Sequence, residues 1–149
     1  MKNLKEREEV IEYSIKLNTT NLSPLRSGNI SVRANNKSIE GFYITPSGAK
    51  YETLKENDIV FVNKNGDYDE KGLKPSSEWR FHKDIYLKRP EANAIVHAHS
   101  PHATAVSAHN KDIPAFHYMI ALAGGNNIKC AKYATFGSQE LSDNIIEAL

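Results

Sequence analysis

The segment 94–99, Ala-Ile-Val-His-Ala-His, constrains the fold most strongly, because a short apolar run leads directly into two histidines separated by one residue. The run from Ala94 to Val96 predicts a buried strand. Side chains on a strand alternate between its two faces, so His97 and His99 are expected to project to the same side. Two imidazoles held close together form half of a divalent-metal site, and they are equally consistent with hydrogen-bonded core histidines. All six histidines lie between residues 82 and 117, which favours a metal or acid–base centre there.

The composition is that of one ordinary globular domain. With 149 residues, 40% of them hydrophobic and 25% charged, the chain can bury a single core. A formal net charge of +1, with both signs interspersed, argues against a nucleic-acid partner, and nothing indicates a membrane surface. The single cysteine, Cys130, cannot form an internal disulfide and is expected to be a small buried residue. Residues 1–5 show no signal-peptide pattern, so we expect a cytoplasmic location.

Helical and strand patterns alternate irregularly along the chain. An amphipathic helix is predicted over residues 4–17, with Leu4, Ile11 and Ile15 on one face and Val10 and Leu17 together to one side of it. Asn65-Gly66 predicts a hairpin. The other predicted elements are strands over 30–33, 41–45, 58–62 and 113–118, the strand that carries His97, a helical turn at 51–56, and helices over 78–89 and 100–109.

The chain ends in a further helical pattern. Ser77 is expected to cap the helix over 78–89, and Ser138 to cap a last helix whose apolar side carries Leu141, Ile145, Ala148 and Leu149. This order of elements predicts one domain over residues 1–149. We expect an αβα sandwich of the α/β class with a mixed, largely antiparallel central sheet.

Three turns have the composition of anion-binding loops. Ser27-Gly28-Asn29 precedes a predicted strand, Pro46-Ser47-Gly48 follows another, and Ser76-Ser77 precedes a helix with unpaired N–H groups at its start. Each of them alone is most often an ordinary turn. Together with a carboxylate and the two histidines, they predict one site for an anion and a metal.

Glu78 is the carboxylate of this predicted site, because it immediately follows the turn Ser76-Ser77. An acidic residue in the first turn of a helix is commonly explained by the helix dipole alone. The functional interpretation places Glu78 beside a metal as a general base. A cation that polarises the carbonyl of a hydroxy-ketone acidifies the adjacent carbon-bound proton, which a nearby carboxylate can remove or return.

Six motifs, at 27–33, 44–48, 76–82, 97–99, 113–119 and 133–137, occur in an order that resembles the class II aldolase/adducin family from end to end. The resemblance is greatest to its members that act on L-fuculose 1-phosphate. It implies zinc-dependent cleavage of a ketose 1-phosphate to dihydroxyacetone phosphate and an aldehyde. It also implies a homotetramer with sites at subunit interfaces.

The resemblance assigns roles to individual residues. His97 and His99 would bind Zn²⁺, and Glu78 would transfer the proton and ligate zinc when substrate is absent. Tyr118 matches a tyrosine near the aldehyde end that acts as proton donor, although as a residue type it is equally a packed aromatic. The phosphate would be held by Gly28, Asn29, Ser47, Gly48, Ser76 and Ser77.

The chain departs from the family pattern at two places. Arg26 replaces a small hydroxyl residue of the phosphate loop, and its guanidinium could pair with the phosphate or indicate a different acidic substrate. The third zinc histidine of the family lies beyond Leu149, so we expect a domain truncated at its C-terminus relative to the family.

Other activities stay open. A related epimerase carries aspartate at the position of Glu78, so glutamate favours the aldolase, while sugar-phosphate dehydratases remain possible. A truncated, non-catalytic interaction module is the alternative outside enzymology, and a metal-dependent hydrolase is a weaker third choice.

Overall fold

The structure is a computed structural model that describes residues 3–149. Four strands and four α-helices are connected by loops and short 3₁₀ turns. The helices are α1 (Leu4–Thr19), α2 (Trp79–Lys88), α3 (Pro101–Ser107) and α4 (Gln139–Ala148). The strands are β1 (Asn29–Asn36), β2 (Ile39–Ile44), β3 (Val60–Asn63) and β4 (Ala94–His97). The 3₁₀ turns are Pro24–Arg26, Tyr51–Thr53, Glu56–Asp58 and Tyr118–Ala123.

The four strands form one sheet in the order β3-β2-β1-β4. Every pair in it is antiparallel, so the expected mixed character is absent from the described sheet. The tight hairpin joins β1 to β2 through Lys37 and Ser38, whose φ angles of 52° and 70° are those of a type I′ turn. The predicted hairpin at Asn65-Gly66 is confirmed only in part, because the turn forms and Asn63 N–H donates to Asp67 O at 2.9 Å, but no strand directly follows it.

Helices cover both faces of the sheet, which confirms the predicted αβα sandwich. The alternation of β2 explains this arrangement. Phe42 and Ile44 point to one face and pack with Tyr86 of α2. Tyr43 points to the other face and packs with Val10 of α1. Burying apolar side chains on each face stabilises both layers, by about 25 cal/mol per Å² of apolar surface removed from water.

The burial of two elements differs from what their sequence patterns suggest. The buried residues of α1 are Val10 and Leu17, from the side of the predicted apolar face, and Ser14, whose hydroxyl donates to the Val10 carbonyl at 2.6 Å. The predicted buried strand is instead an edge strand, because β4 pairs only with β1 in the described sheet. Val96 of β4 is 58% exposed.

The last third of the chain contains little regular structure before α4. The predicted strand at 113–118 is reduced to a single bridge between Ile113 and Ile128. The predicted cap of α4 is confirmed, since Ser138 Oγ accepts a hydrogen bond from the Leu141 backbone N–H at 3.1 Å. The buried residue of α4 is Ser142, which donates to Asp84 of α2 at 2.7 Å. Within residues 3–149, no helix has both the length and the apolar character that a bilayer crossing requires.

Gly41 of β2 is a sensitive point in the sheet, because a Cβ there would collide with the Val62 carbonyl and lie 2.7 Å from the Phe61 ring. We expect Gly41→Ala to lower the free energy of unfolding by about 1–3 kcal/mol, since the strands must move apart. Gly72→Ala is the matched control, because its Cβ would make only an ordinary contact of 3.5 Å with Asp69 O. Urea denaturation measures both variants. Equal stability of the two would contradict the close approach of β2 and β3.

Candidate active site

Three elements meet at one end of the sheet. Asn29, at the start of β1, is paired in register with His97 at the end of β4. Glu78 occupies the N-cap position immediately before α2, and the Asn29 side-chain amide donates to its Oε2 at 2.8 Å. Ser77 is therefore not the helix cap that the sequence predicts. Residues that are far apart in the sequence are thus brought together. Asn29 reaches Glu78, Glu78 reaches His97, and His97 reaches His99.

The two imidazoles lie as the spacing predicts, with His97 Nε2 and His99 Nε2 2.9 Å apart. His99 lies two residues past the end of β4, and a hydrogen bond of 2.7 Å from its backbone N–H to Leu22 O holds it there. Glu78 Oε2 lies 3.2 Å from His97 Nε2. His97 Nε2 thus lies close to both the second imidazole nitrogen and a carboxylate oxygen.

Burial lowers the pKa of His97, and His99 lowers it further, while the nearby Glu78 carboxylate opposes the shift. His97 is therefore biased toward its neutral form, the form in which an imidazole nitrogen can bind a metal ion.

These residues fit part of a zinc site. Two ligand atoms of a tetrahedral zinc with bonds of about 2.05 Å are separated by about 3.3 Å. The distances from His97 Nε2 to His99 Nε2 and to Glu78 Oε2, 2.9 Å and 3.2 Å, are close to that separation. Among residues 3–149 no group of three or more histidine, cysteine or carboxylate side chains is arranged so that it could hold a metal ion. The chain thus offers a pair of imidazoles with one carboxylate beside it.

The three predicted anion-binding turns are adjacent in the structure. Pro46 and Pro75 form an antiparallel bridge, so the turn with Ser47 and Gly48 lies beside the turn with Ser76 and Ser77. Two backbone hydrogen bonds hold this bridge, from Ser47 N–H to Lys74 O and from Ser76 N–H to Thr45 O, each at 2.9 Å.

The third turn joins them through side chains. Arg26 donates from its guanidinium to Gly48 O at 3.3 Å, and Asn29 reaches Glu78. Ser27 Oγ is buried and has no hydrogen-bond partner in the structure. A buried hydroxyl without a partner is costly, and here it lies in a turn that the sequence assigns to an anion.

Gly28 has a packing role that its turn composition does not reveal. A Cβ at this position would collide with the His97 carbonyl and approach Leu17 and Ser23 at 2.8 and 2.9 Å. The hydroxyl of Tyr51, missed by the sequence analysis, donates to Gly28 O at 2.5 Å. Burial raises the pKa of Tyr51, so it remains a donor. The glycine lets the first turn approach β4 closely.

Behind Glu78 lies a buried row of hydrogen-bonded polar side chains that the sequence does not predict. Asn29 Oδ1 lies 2.5 Å from His82 Nε2, His82 Nδ1 lies 2.7 Å from Ser31 Oγ, and Ser31 Oγ lies 2.8 Å from the Tyr86 hydroxyl. Burial lowers the pKa of His82 to about 3, and His97 adds a smaller effect in the same direction. In the sequence, His82 and Tyr86, about one turn apart on α2, look like part of an ordinary helix face, because nothing local shows that β1 packs beside them.

Tyr118 is not brought into this group of side chains. It is 79% exposed, and its ring packs against His117 with the ring centroids 4.3 Å apart. Cys130 is only partly buried, contrary to expectation, and its backbone N–H donates to Asp112 at 2.7 Å.

Residues 8–149 match the family described as the Class II Aldolase and Adducin N-terminal domain, and the chain belongs to this family. It is 49% identical, over all 149 residues, to an L-fuculose phosphate aldolase of Escherichia coli (strain K12), of which it spans 67%. It is 45% identical over 144 residues, 96% of this chain, to a 5-methylthioribulose-1-phosphate/5-deoxyribulose-1-phosphate aldolase of Rhodospirillum rubrum, spanning 62% of that protein.

The fold is also similar to that of an aldolase of known structure. A solved structure of an L-fuculose 1-phosphate aldolase superimposes with a TM-score of 0.85 at 41% identity, covering 94% of this chain and 65% of the other. The chain therefore spans about two thirds of the length of these relatives. The predicted class II aldolase fold is confirmed.

His82 gives the site a testable pH dependence. The folded protein keeps this imidazole neutral down to a pKa of about 3, whereas in the unfolded chain it takes up a proton below its ordinary value of 6.5. The unfolded state thus binds more protons as the pH falls, and stability decreases. Between about pH 7.5 and 5.5, the unfolding free energy should fall by about 1.4 kcal/mol more in the wild type than in His82→Gln. Urea denaturation at both pH values measures this difference, and equal pH slopes would contradict a neutral buried His82.

Proposed function

We propose that this chain carries the phosphate turns, the proton-transferring carboxylate and two metal ligands of a zinc-dependent aldolase. The substrate would be a ketose 1-phosphate resembling L-fuculose 1-phosphate, cleaved to dihydroxyacetone phosphate and an aldehyde. The observation that carries the proposal is the convergence of three turns with Glu78, His97 and His99 at one end of the sheet. The names of the relatives support the same class of substrate.

The turns would hold the phosphate through Gly28, Asn29, Ser47, Gly48, Ser76 and Ser77. Ser47, Gly48 and Ser77 are exposed, so their polar groups are open to a ligand. Asn29 uses one amide hydrogen for Glu78 and keeps the second for the phosphate. The guanidinium of Arg26, placed at the Gly48 turn, would add a charge-assisted hydrogen bond.

His97 and His99 would hold Zn²⁺, with Glu78 as a further ligand when no substrate is bound. Zinc, when bound, polarises a ketose carbonyl and acidifies the neighbouring carbon-bound proton. Glu78 would then take or return that proton, since its carboxylate already lies beside the metal-binding imidazole. Asn29 keeps one carboxylate oxygen oriented toward this position.

Tyr118 would act as the proton donor at the aldehyde end, in an assembly of several copies. Its exposed side chain is available to the site of an adjoining chain. Large exposed apolar residues gather in this part of the chain, and such patches mark interfaces. They are Phe116, Tyr118, Leu122, Tyr133 and Phe136. We therefore propose a homo-oligomer, with a tetramer as the form that the family resemblance implies.

Two alternatives make different predictions. A sugar-phosphate epimerase or dehydratase would use the same turns and metal ligands without releasing dihydroxyacetone phosphate. A non-catalytic interaction module would have no use for Glu78 beside two imidazoles, and this arrangement favours an enzyme.

Zinc titration tests the metal ligands. We expect one zinc ion per chain, with an affinity at least about tenfold weaker in His97→Ala, because one of two imidazole ligands is lost. His109→Ala is the matched control, since His109 is an exposed histidine outside the site. Isothermal titration calorimetry measures all three proteins. An undiminished affinity in His97→Ala, or an equal loss in His109→Ala, would contradict the assignment.

Glu78→Gln tests proton transfer. The amide can still occupy the position but cannot exchange a proton, so kcat for L-fuculose 1-phosphate cleavage should fall by about 10²–10⁴-fold. The affinity for inorganic phosphate should change by less than about threefold, because the turns that would hold the phosphate are unaltered. The exposed Glu70, changed to Gln, is the control and should keep full turnover. Unchanged kcat in Glu78→Gln would remove this residue from the mechanism.

A further inference from the structure

The buried chain from Tyr86 to Glu78 has a single possible direction for its hydrogen bonds. The Asn29 amide nitrogen donates to Glu78, so its Oδ1 must accept from His82 Nε2–H. A neutral imidazole with its proton on Nε2 has an acceptor at Nδ1, which takes the hydroxyl proton of Ser31. Ser31 Oγ then accepts from the Tyr86 hydroxyl. The direction of each hydrogen bond thus fixes the direction of the next one.

Burial makes this direction costly to reverse. Ser31 and His82 are fully buried, and Asn29 is 3% exposed. If the Asn29 amide rotated by half a turn, its nitrogen would face His82 Nε2–H and its oxygen would face the Glu78 carboxylate. Two acceptors would then meet at Glu78, and with the His82 proton on Nε2 two donors would meet at the other end. Buried polar groups without partners cost about 1–3 kcal/mol each.

We propose that His82 is a positioning residue of the active site, which locks the Asn29 amide so that its nitrogen always faces Glu78. This inference rests on the proposed role of Glu78 in proton transfer. His82 itself lies too deep to touch a substrate. Its ring is stacked with Phe81, 4.7 Å away between centroids, and with Phe42 at 6.5 Å.

A purely structural role does not account for the choice of residue. The space between Phe42 and Phe81 suits an apolar side chain, and burying an imidazole there is favourable only when both ring nitrogens are bonded. The hydrogen-bonded row is more open at Glu78, whose side chain is 12% exposed, than at Tyr86, which is 5% exposed. The row of hydrogen bonds from Tyr86 to Glu78 therefore acts on the Glu78 carboxylate.

Two substitutions at the same position separate positioning from packing. His82→Gln can place its amide nitrogen near the position of Nε2 and so still donate to Asn29. His82→Asn reaches only the position of Nδ1 and loses that donor. Both replace the ring by a smaller amide. Ser142→Ala, which removes a different buried hydrogen bond to α2, is the control for general loss of stability.

We expect kcat/KM for L-fuculose 1-phosphate to fall by about 10–100-fold in His82→Asn and by less than about threefold in His82→Gln, as for other residues that orient a ligand. Ser142→Ala should keep the wild-type value. Thermal unfolding must show that the two His82 variants are similarly stable. Equal activities of the two His82 variants, or activities that follow their melting temperatures, would overturn the proposal.

A second readout does not depend on turnover. In ¹⁵N NMR spectra, the wild-type His82 ring should show a neutral Nε2–H tautomer. The Asn29 side-chain amide hydrogens should exchange slowly in the wild type and in His82→Gln, and faster in His82→Asn. If no protein cleaves the substrate, the proposed function fails, while the NMR comparison still decides the role of His82. Equal exchange in all three proteins would overturn that role.

Discussion

The side-chain amide of Asn29 is the connection on which the site depends. It lies at the start of β1, where it is fixed between a carboxylate at the beginning of α2 and a buried imidazole one turn further along the same helix. The amide has a donor, Nδ2, at one end and an acceptor, Oδ1, at the other. Through these two atoms it links β1 to α2 at two points and holds the Oε2 atom of Glu78. The neighbouring strand β4 is paired to β1 at this same residue, so the histidines are placed by the register of that pair.

The parts of the site that follow from local pattern could be predicted from the sequence. The period of two correctly places the His97 and His99 rings side by side, even though β4 ends at His97 and His99 lies two residues beyond it. The three turns were recognisable by composition. Their adjacency is a tertiary property, created by the bridge between Pro46 and Pro75.

Other features have no local signal. The bond between His82 and Asn29 joins residues 53 positions apart, and nothing near either residue indicates the other. The β1–β2 hairpin uses Lys37 and Ser38 at positive φ, residue types that rarely mark such a turn, whereas Asn65-Gly66 has the favoured composition without a following strand. The exposure of Val96 depends on which strands flank β4, and an apolar run alone cannot distinguish an edge strand from a central one.

The position of the imidazole protons decides which contacts the histidine pair can make. Two imidazole nitrogens 2.9 Å apart repel through their lone pairs unless one of them is the protonated nitrogen of its ring. Glu78 Oε2 lies 3.2 Å from His97 Nε2, so a proton on this nitrogen can be donated either to the carboxylate or to His99. A metal ion would need both Nε2 atoms free of protons, and a neutral imidazole meets this condition by carrying its proton on Nδ1. Burial lowers the pKa of His97 and so favours its neutral form, which keeps this nitrogen able to bind a metal ion.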